Sequence, residues 1–357
     1  MIAREASHLS NLDGLRTLAA FSVLFSHCDY FAGVAAPGTP WDWIRQFFFH
    51  EAGLGVQFFF VLSGFLITRI VLREQDSPRG FRVRDFWIRR ILRIWPVYFV
   101  VVTVAWLLSY SGWPPFNMEN NSWLLTLTFL ANIDLTRLYA TGTPYGYVTS
   151  VLWSVSIEEQ FYLVYPLTLN FLPRRLLIPF FCLVVLLAVV LRKTLGLGQF
   201  HTISACYELG VGCLLGLLAP SAPRWASRIP KALLLLPYLT IGLTIFTPPK
   251  GIYWAFHFLR PFLFAAVLFD QAFCTQSCMQ TKKVPFLNDL GKITYGLYCY
   301  HMIFVILVLE WMRRLGCAPV TVVGFLLYVA IVSVISIGVS AFSYRWLETP
   351  ILAYKPK

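Results

Sequence analysis

Two residues of the first apolar run, Arg16 and His27, stand eleven positions apart. At about 100° per residue a helix turns three times plus some 20° over that spacing, so both side chains leave one face, about 16 Å apart along the axis. A histidine so placed suits general-base or nucleophilic work, and an arginine suits an anion. A single histidine in such a run is as easily a hydrogen-bonded structural residue. Its sharing a face with Arg16 favours the functional reading. The run Trp153-Ser154-Val155-Ser156-Ile157-Glu158-Glu159-Gln160-Phe161-Tyr162 holds adjacent glutamates, which a helix points about 100° apart. Ser154, Glu158 and Tyr162 form one polar stripe, whereas Glu159 aligns with Val155 and Leu163. Glu158 is therefore the expected cavity-facing carboxylate, and a capping or interfacial pair near the helix start is the competing reading. Thr294, Tyr298 and His301 make another polar stripe among Leu, Ile and Val. Arg90 and Arg93 fall at i,i+3 on one face where a helix ends, a pairing that suits a phosphate-bearing ligand. Taken alone, those arginines read first as anchors against lipid headgroups.

The elements that must hold these residues are membrane helices. The chain is 58% hydrophobic and 13% charged, where a soluble domain carries roughly 25% charged residues. An ionisable group inside such a span is costly unless it is paired or faces a cavity, which is why each one above is a candidate site. Apolar runs of membrane-crossing length predict ten transmembrane helices, at roughly 12–30, 47–70, 94–111, 150–172, 176–192, 201–219, 231–247, 252–273, 292–311 and 319–345. With the N-terminus inside, 21 of the 29 basic residues fall on the inner side and seven on the outer, Arg260 lying within a span. That bias puts both termini in the cytoplasm and accounts for the net charge of +12 without nucleic acid. The first run lacks a small-residue cleavage site, so no cleavable signal peptide is expected. Residues 73–93 form an arginine-rich inner connection broken by Ser77-Pro78-Arg79-Gly80. Residues 112–149 are too polar to span, and their stretch Trp123 to Leu130 is expected as a re-entrant or interfacial helix lining an outward cavity. The eight cysteines sit mostly in apolar runs, and the pair Cys274/Cys278 has no matching second pair. Buried or reduced thiols and no metal are expected. No repeat or low-complexity segment divides the chain, so residues 1–357 read as one all-α polytopic membrane domain with no appended soluble domain.

Six blocks in order resemble the acyltransferase-3 family of membrane-bound O-acyltransferases acting on carbohydrates. They are Leu12-Asp13-Gly14-Leu15-Arg16 with His27, Gly55-Val56-Gln57-Phe58-Phe59-Phe60-Val61-Leu62-Ser63-Gly64-Phe65, and Phe86-Trp87-Ile88-Arg89-Arg90-Ile91-Leu92-Arg93-Ile94-Trp95-Pro96. The others are Leu152 to Leu163, Gly291 to His301, and Tyr344-Arg345-Trp346-Leu347-Glu348-Thr349-Pro350. Any one is weak, but together they run from 12 to 350. The resemblance implies transfer from cytoplasmic acyl-CoA, usually acetyl-CoA, to a hydroxyl of an extracytoplasmic carbohydrate or glycolipid. Lipopolysaccharide O-antigen, peptidoglycan, exopolysaccharide and lipid-linked oligosaccharide are typical acceptors. It implies an integral protein of a bacterial inner membrane, with acyl-CoA as co-substrate and no tightly bound cofactor. Residue by residue, it implies His27 as catalytic, and Glu158 matches the family's first glutamate in its block; on chemistry, Glu158 is expected as a second catalytic residue that orients or charge-stabilises the imidazole. Arg16, Arg90, Arg93, Phe59 and Ser63 would serve acyl-CoA. Trp153, Ser154, Tyr162, Tyr298, His301 and Glu348 would serve the acceptor side or support the site. Two departures stand out. Gln57 replaces a residue that is often acidic in the family, and the SGNH-type domain fused to many members is missing, so the chain is expected to finish the transfer itself or hand over to a partner. The rival readings are a transporter or flippase of lipid-linked glycans, and transfer of succinyl or a longer acyl group.

Overall fold

Apolar runs separated by Pro, Gly and polar clusters leave the backbone one way to satisfy its own hydrogen bonds in lipid, and that is helix. The computed structural model describes residues 2–34, 37–49, 51–245, 250–277 and 279–356. Among the described residues there is no strand. The long helices are α1 (Ile2–Ala32), α3 (Ala52–Gln75), α4 (Val83–Ser109), α8 (Leu152–Phe171) and α9 (Arg174–Thr194). They continue with α10 (Thr202–Leu218), α12 (Lys231–Ile245), α13 (Lys250–Phe273), α15 (Thr294–Arg314) and α16 (Val322–Ser343). Short helices join them: α2 (Pro40–Phe49), α5 (Trp123–Leu127), α6 (Ala131–Ala140), α7 (Tyr147–Ser150), α11 (Ala222–Ala226), α14 (Pro285–Gly291) and α17 (Thr349–Leu352). Each run expected to span thus contains a long helix. Among the described residues, five stretches are long and apolar enough to cross a membrane: Pro40–Gln75, Val83–Ser109, Arg174–Thr194, Thr294–Arg314 and Val322–Leu352. Helices α10 and α12 are apolar but shorter.

Three boundaries differ from expectation. The run 47–70 is two helices, because Glu51 sits at φ −108°, ψ 77° and its carboxylate is held 3.2 Å from Arg260 Nη1. Helix α4 begins at Val83 rather than 94. Its first turns carry too many arginines to read as a span, yet Phe86 and Ile94 on that stretch are buried and dock it against the bundle. Arg90 and Arg93 therefore lie inside a helix, not where one ends. The expected helix from Trp123 to Leu130 stops at Leu127. Ser122 Oγ caps its start by accepting from Leu125 N at 3.3 Å, and Phe129, at φ 57°, turns the chain into α6.

Close approach of α3 and α10 makes the centre of the bundle. A Cβ on Gly64 would strike the Leu209 carbonyl, and one on Gly212 the Val61 carbonyl, so only glycine lets these two backbones touch. Helix α15 runs through the interior, with 72% of its apolar window buried, against 17% for α9. The exposed face of α9 carries Leu183, Leu186, Leu187 and Val190, a surface that lipid tails solvate and water does not.

Candidate active site

Five helices converge on a cavity of about 140 Å³. Helix α1 contributes Arg16, α3 contributes Val56, Phe59 and Ser63, and α4 contributes Arg90 and Arg93; α8 adds Ser154, Glu158 and Tyr162, and α15 adds Thr294 and Tyr298. Glu158 accepts from Ser63 Oγ at 2.6 Å and from Tyr162 OH at 3.2 Å. The neighbouring Glu159 instead accepts from Trp95 Nε1 at 3.0 Å, so the two adjacent carboxylates do point to different places. Arg16 Nη1 pairs with Asp13 Oδ1 at 2.5 Å. The Arg90 guanidinium lies 5.5 Å from the Phe86 ring centroid and 5.8 Å from that of Tyr162, and its Nε has no hydrogen-bond partner. Arg89 turns away to Glu74, 2.6 Å off. With Asp13 on Arg16 and Glu158 in the lining, three guanidiniums stand against two carboxylates, a small surplus of positive charge that suits a phosphate-bearing ligand. Glu348 is buried (1% exposed) outside that lining, and Arg93 acts on it electrostatically.

A second cavity, of about 350 Å³, lies toward the other end of the bundle. It is lined by Ser26 and His27 of α1, by Tyr139, Tyr145 and Tyr147 of the 112–149 region, and by Trp153, Phe200 and Met302. The 112–149 region thus faces a cavity as expected, although through α6 and the residues after it rather than through 123–130. Val56 and Tyr298 border both cavities, so the partition there is one side chain thick. Tyr298 OH is tied to Ser154 Oγ at 2.6 Å, and the Phe59 ring meets that of Tyr298 edge-on at 6.1 Å.

The chemistry of the second cavity follows from a chain of three groups. His301 Nδ1 lies 2.6 Å from the Tyr298 carbonyl oxygen. A carbonyl only accepts, so Nδ1 carries the proton, and in the neutral ring Nε2 carries the lone pair. That Nε2 lies 3.0 Å from His27 Nδ1. His27 Nδ1–H therefore donates, and His27 Nε2 is left unprotonated. His27 lines the cavity while His301 is only 1% exposed. The nitrogen able to take a proton or an acyl group belongs to His27.

The structure gathers Arg16, Phe59, Ser63, Arg90, Arg93, Ser154, Glu158, Tyr162 and Tyr298 around the first cavity, and His27, Trp153 and Tyr298 around the second. One expected contact is replaced. Glu158 does not orient the His27 imidazole, because its bonds go to Ser63 and Tyr162 and the ring partner of His27 is His301. Arg16 and His27 leave α1 toward different cavities, one above the other, as an eleven-residue spacing allows. Gln57, a departure from the family pattern, and Arg260, an arginine within a span, line a third chamber beside the second together with Arg192, Glu208 and His257. Glu208 also lies in an otherwise apolar run, so the rule that flagged Arg16 could have found it.

The helical bundle thus carries an arginine-lined cavity and, beyond Val56 and Tyr298, a second cavity lined by the His27 imidazole. The chain belongs to the acyltransferase-3 family, whose profile, described as an acyltransferase domain, matches residues 9–345. It is 25% identical over 379 residues to the peptidoglycan O-acetyltransferase OatA of Listeria monocytogenes, covering 96% of this chain and 56% of that protein. It is 26% identical over 376 residues to the O-acetyltransferase OatA of Staphylococcus aureus, covering 96% of this chain and 57% of that one. The chain spans little more than half the length of these relatives. No solved structure matches it.

Proposed function

We propose that the chain is a membrane O-acyltransferase that moves an acyl group, acetyl in the first instance, from cytoplasmic acyl-CoA to a hydroxyl of an extracytoplasmic carbohydrate or glycolipid. The observation that carries this reading is the pair of cavities, one rich in arginine and one lined by His27, which meet at Val56 and Tyr298. A surplus of guanidinium suits the phosphates of a CoA. A flippase for glycans has no need of it at one end alone. The names of the relatives support acetyl as the group and a glycan as the acceptor. In this reading all ten long helices cross the membrane, and the arginine-rich end, with 21 basic residues against seven, is cytoplasmic.

The acyl-CoA phosphates sit among Arg16, Arg90 and Arg93, and the thioester reaches past Tyr298 toward His27. The His27 Nε2 lone pair takes the proton of the sugar hydroxyl as that oxygen attacks the thioester carbonyl. The C–S bond breaks, CoA leaves as the thiolate, and the proton passes from His27 to sulfur, restoring the neutral ring. A positioned base contributes ~10²–10⁴-fold. His301 keeps Nδ1 engaged, so that Nε2 and not Nδ1 faces the acceptor. The test is sidedness. In oriented proteoliposomes, acyl-CoA supplied only on the Arg90 side should acylate an acceptor supplied only on the His27 side. Product formed only when both substrates share one face would refute the proposal.

A further inference from the structure

Beside the His27 cavity lies a chamber of about 200 Å³ that the transfer chemistry above does not use. It shares Gly53, Val56, Trp153 and Gln199 with that cavity, so the two adjoin across those side chains. Four charged groups stand in it. Arg260 Nη1 lies 3.2 Å from Glu51 Oε2, and Arg192 Nη1 lies 3.5 Å from Glu208 Oε1. Two arginines against two glutamates leave no net charge, in contrast to the arginine-rich cavity. An anion such as phosphate has no surplus partner here.

The polar groups are not spent on one another. Gln57 Nε2 is 3.5 Å from Glu208 Oε1 and 3.4 Å from the His257 ring nitrogens, at the weak end of hydrogen bonding. Gln57 Oε1 and Glu208 Oε2 are buried with no hydrogen-bond partner, and their residues are 7% and 3% exposed. Buried acceptors are seldom left unmet in native proteins, so two of them on residues that line one chamber mark a place for a donor that comes from outside the chain. A donor with several hydroxyls, no charge and an apolar face meets every condition, since the Trp153 and Phe60 rings supply the apolar wall.

We propose that this chamber is a subsite for an uncharged pyranose residue of the acceptor glycan, next along the chain to the residue being acylated. Gln57 and Glu208 accept from its hydroxyls, and Trp153 packs against its ring. This rests on the acceptor being a glycan, as proposed above. The subsite fixes which hydroxyl of the neighbouring residue meets His27, and so favours oligosaccharides over single sugars.

The test uses the full-length protein in proteoliposomes, acetyl-CoA, and mono-, di- and trisaccharides cut from the host's own envelope glycan. Wild type should show a lower KM for di- and trisaccharides than for monosaccharides. Gln57→Met, close in shape, and Glu208→Gln should each raise the oligosaccharide KM about 2- to 12-fold, the equivalent of one lost hydrogen bond. Neither should move the monosaccharide KM or the acetyl-CoA KM, and the latter doubles as the check on folding in case Glu208→Gln strands Arg192. Equal KM values for wild type and Gln57→Met on every oligosaccharide overturn the subsite, as does a chamber that holds water only. If wild type acetylates none of the fragments, the glycan reading itself falls, and the subsite with it.

Discussion

His301 never touches the cavity, yet it should govern turnover through His27. The perturbation is His301→Phe, which fills the same buried space and removes the acceptor 3.0 Å from His27 Nδ1. One buried hydrogen bond is worth ~0.5–1.5 kcal/mol, so the population of correctly poised His27 falls at least about 2- to 12-fold. The ceiling is the whole contribution of a positioned base, ~10²–10⁴-fold. The expected loss in kcat lies between, near ~10-fold. His301→Gln, whose amide oxygen can still accept, should regain most of it. The assay is transfer of radiolabelled acetyl from acetyl-CoA to acceptor at saturating concentrations of both, with detergent melting curves to show that each variant is folded. A merely structural residue would give the same result in the single variant, so the double variant decides. Because His301 acts only through His27, His27→Ala combined with His301→Phe should be no slower than His27→Ala alone. Losses that multiply in the double variant, or a His301→Phe enzyme with wild-type kcat, would refute the tautomer argument.

Two further outcomes follow from the cationic cavity and the helix contacts. Arg90→Ala and Arg93→Ala should each raise the KM for acyl-CoA, since a charge-assisted contact is worth ~1.5–3 kcal/mol, and acceptor KM should stay put; unchanged acyl-CoA binding by calorimetry in the double variant would make them lipid anchors only. Gly212→Leu drives a side chain into the Val61 carbonyl and should cost ~1–3 kcal/mol or more of stability, read as a lowered melting temperature. Gly198→Ala, with nothing within 4 Å of its Cβ, is the matched control and should melt with wild type.

The positions of the long helices were legible because membrane-crossing length and apolar composition are local properties. So was the choice of Glu158 over Glu159, since a helix turns them about 100° apart and only one aligned with Ser154 and Tyr162. The start of α4 was not legible. Its first turns hold Arg84, Arg89 and Arg90, and a hydropathy scan discards such a stretch even when Phe86 anchors it. The partner of His27 was beyond reach for another reason. His301 lies 274 residues away, and only the packing of α1 against α15 brings the rings together, so a carboxylate at hydrogen-bonding strength looked the better candidate on chemistry alone. The third chamber was harder still, because its polar groups come from α3, α9, α10 and α13, scattered through runs that read as apolar, and only packing brings them together.

On the proposed reading, the meeting of the two cavities at Val56 and Tyr298 bears on the membrane's ion barrier. A membrane that stores a proton gradient cannot hold an open aqueous shaft, and two cavities approaching from opposite ends come close to drilling one. Tyr298, braced by Ser154 at 2.6 Å and flanked by Phe59, plugs it with an aromatic ring. On the proposed reaction only the thioester end of the coenzyme reaches past that ring, and neither the whole coenzyme nor the sugar crosses. The acyl group alone is left on the far side, having exchanged a sulfur partner for an oxygen partner. Export and bond exchange are then one event, driven by thioester cleavage rather than by the gradient the plug protects.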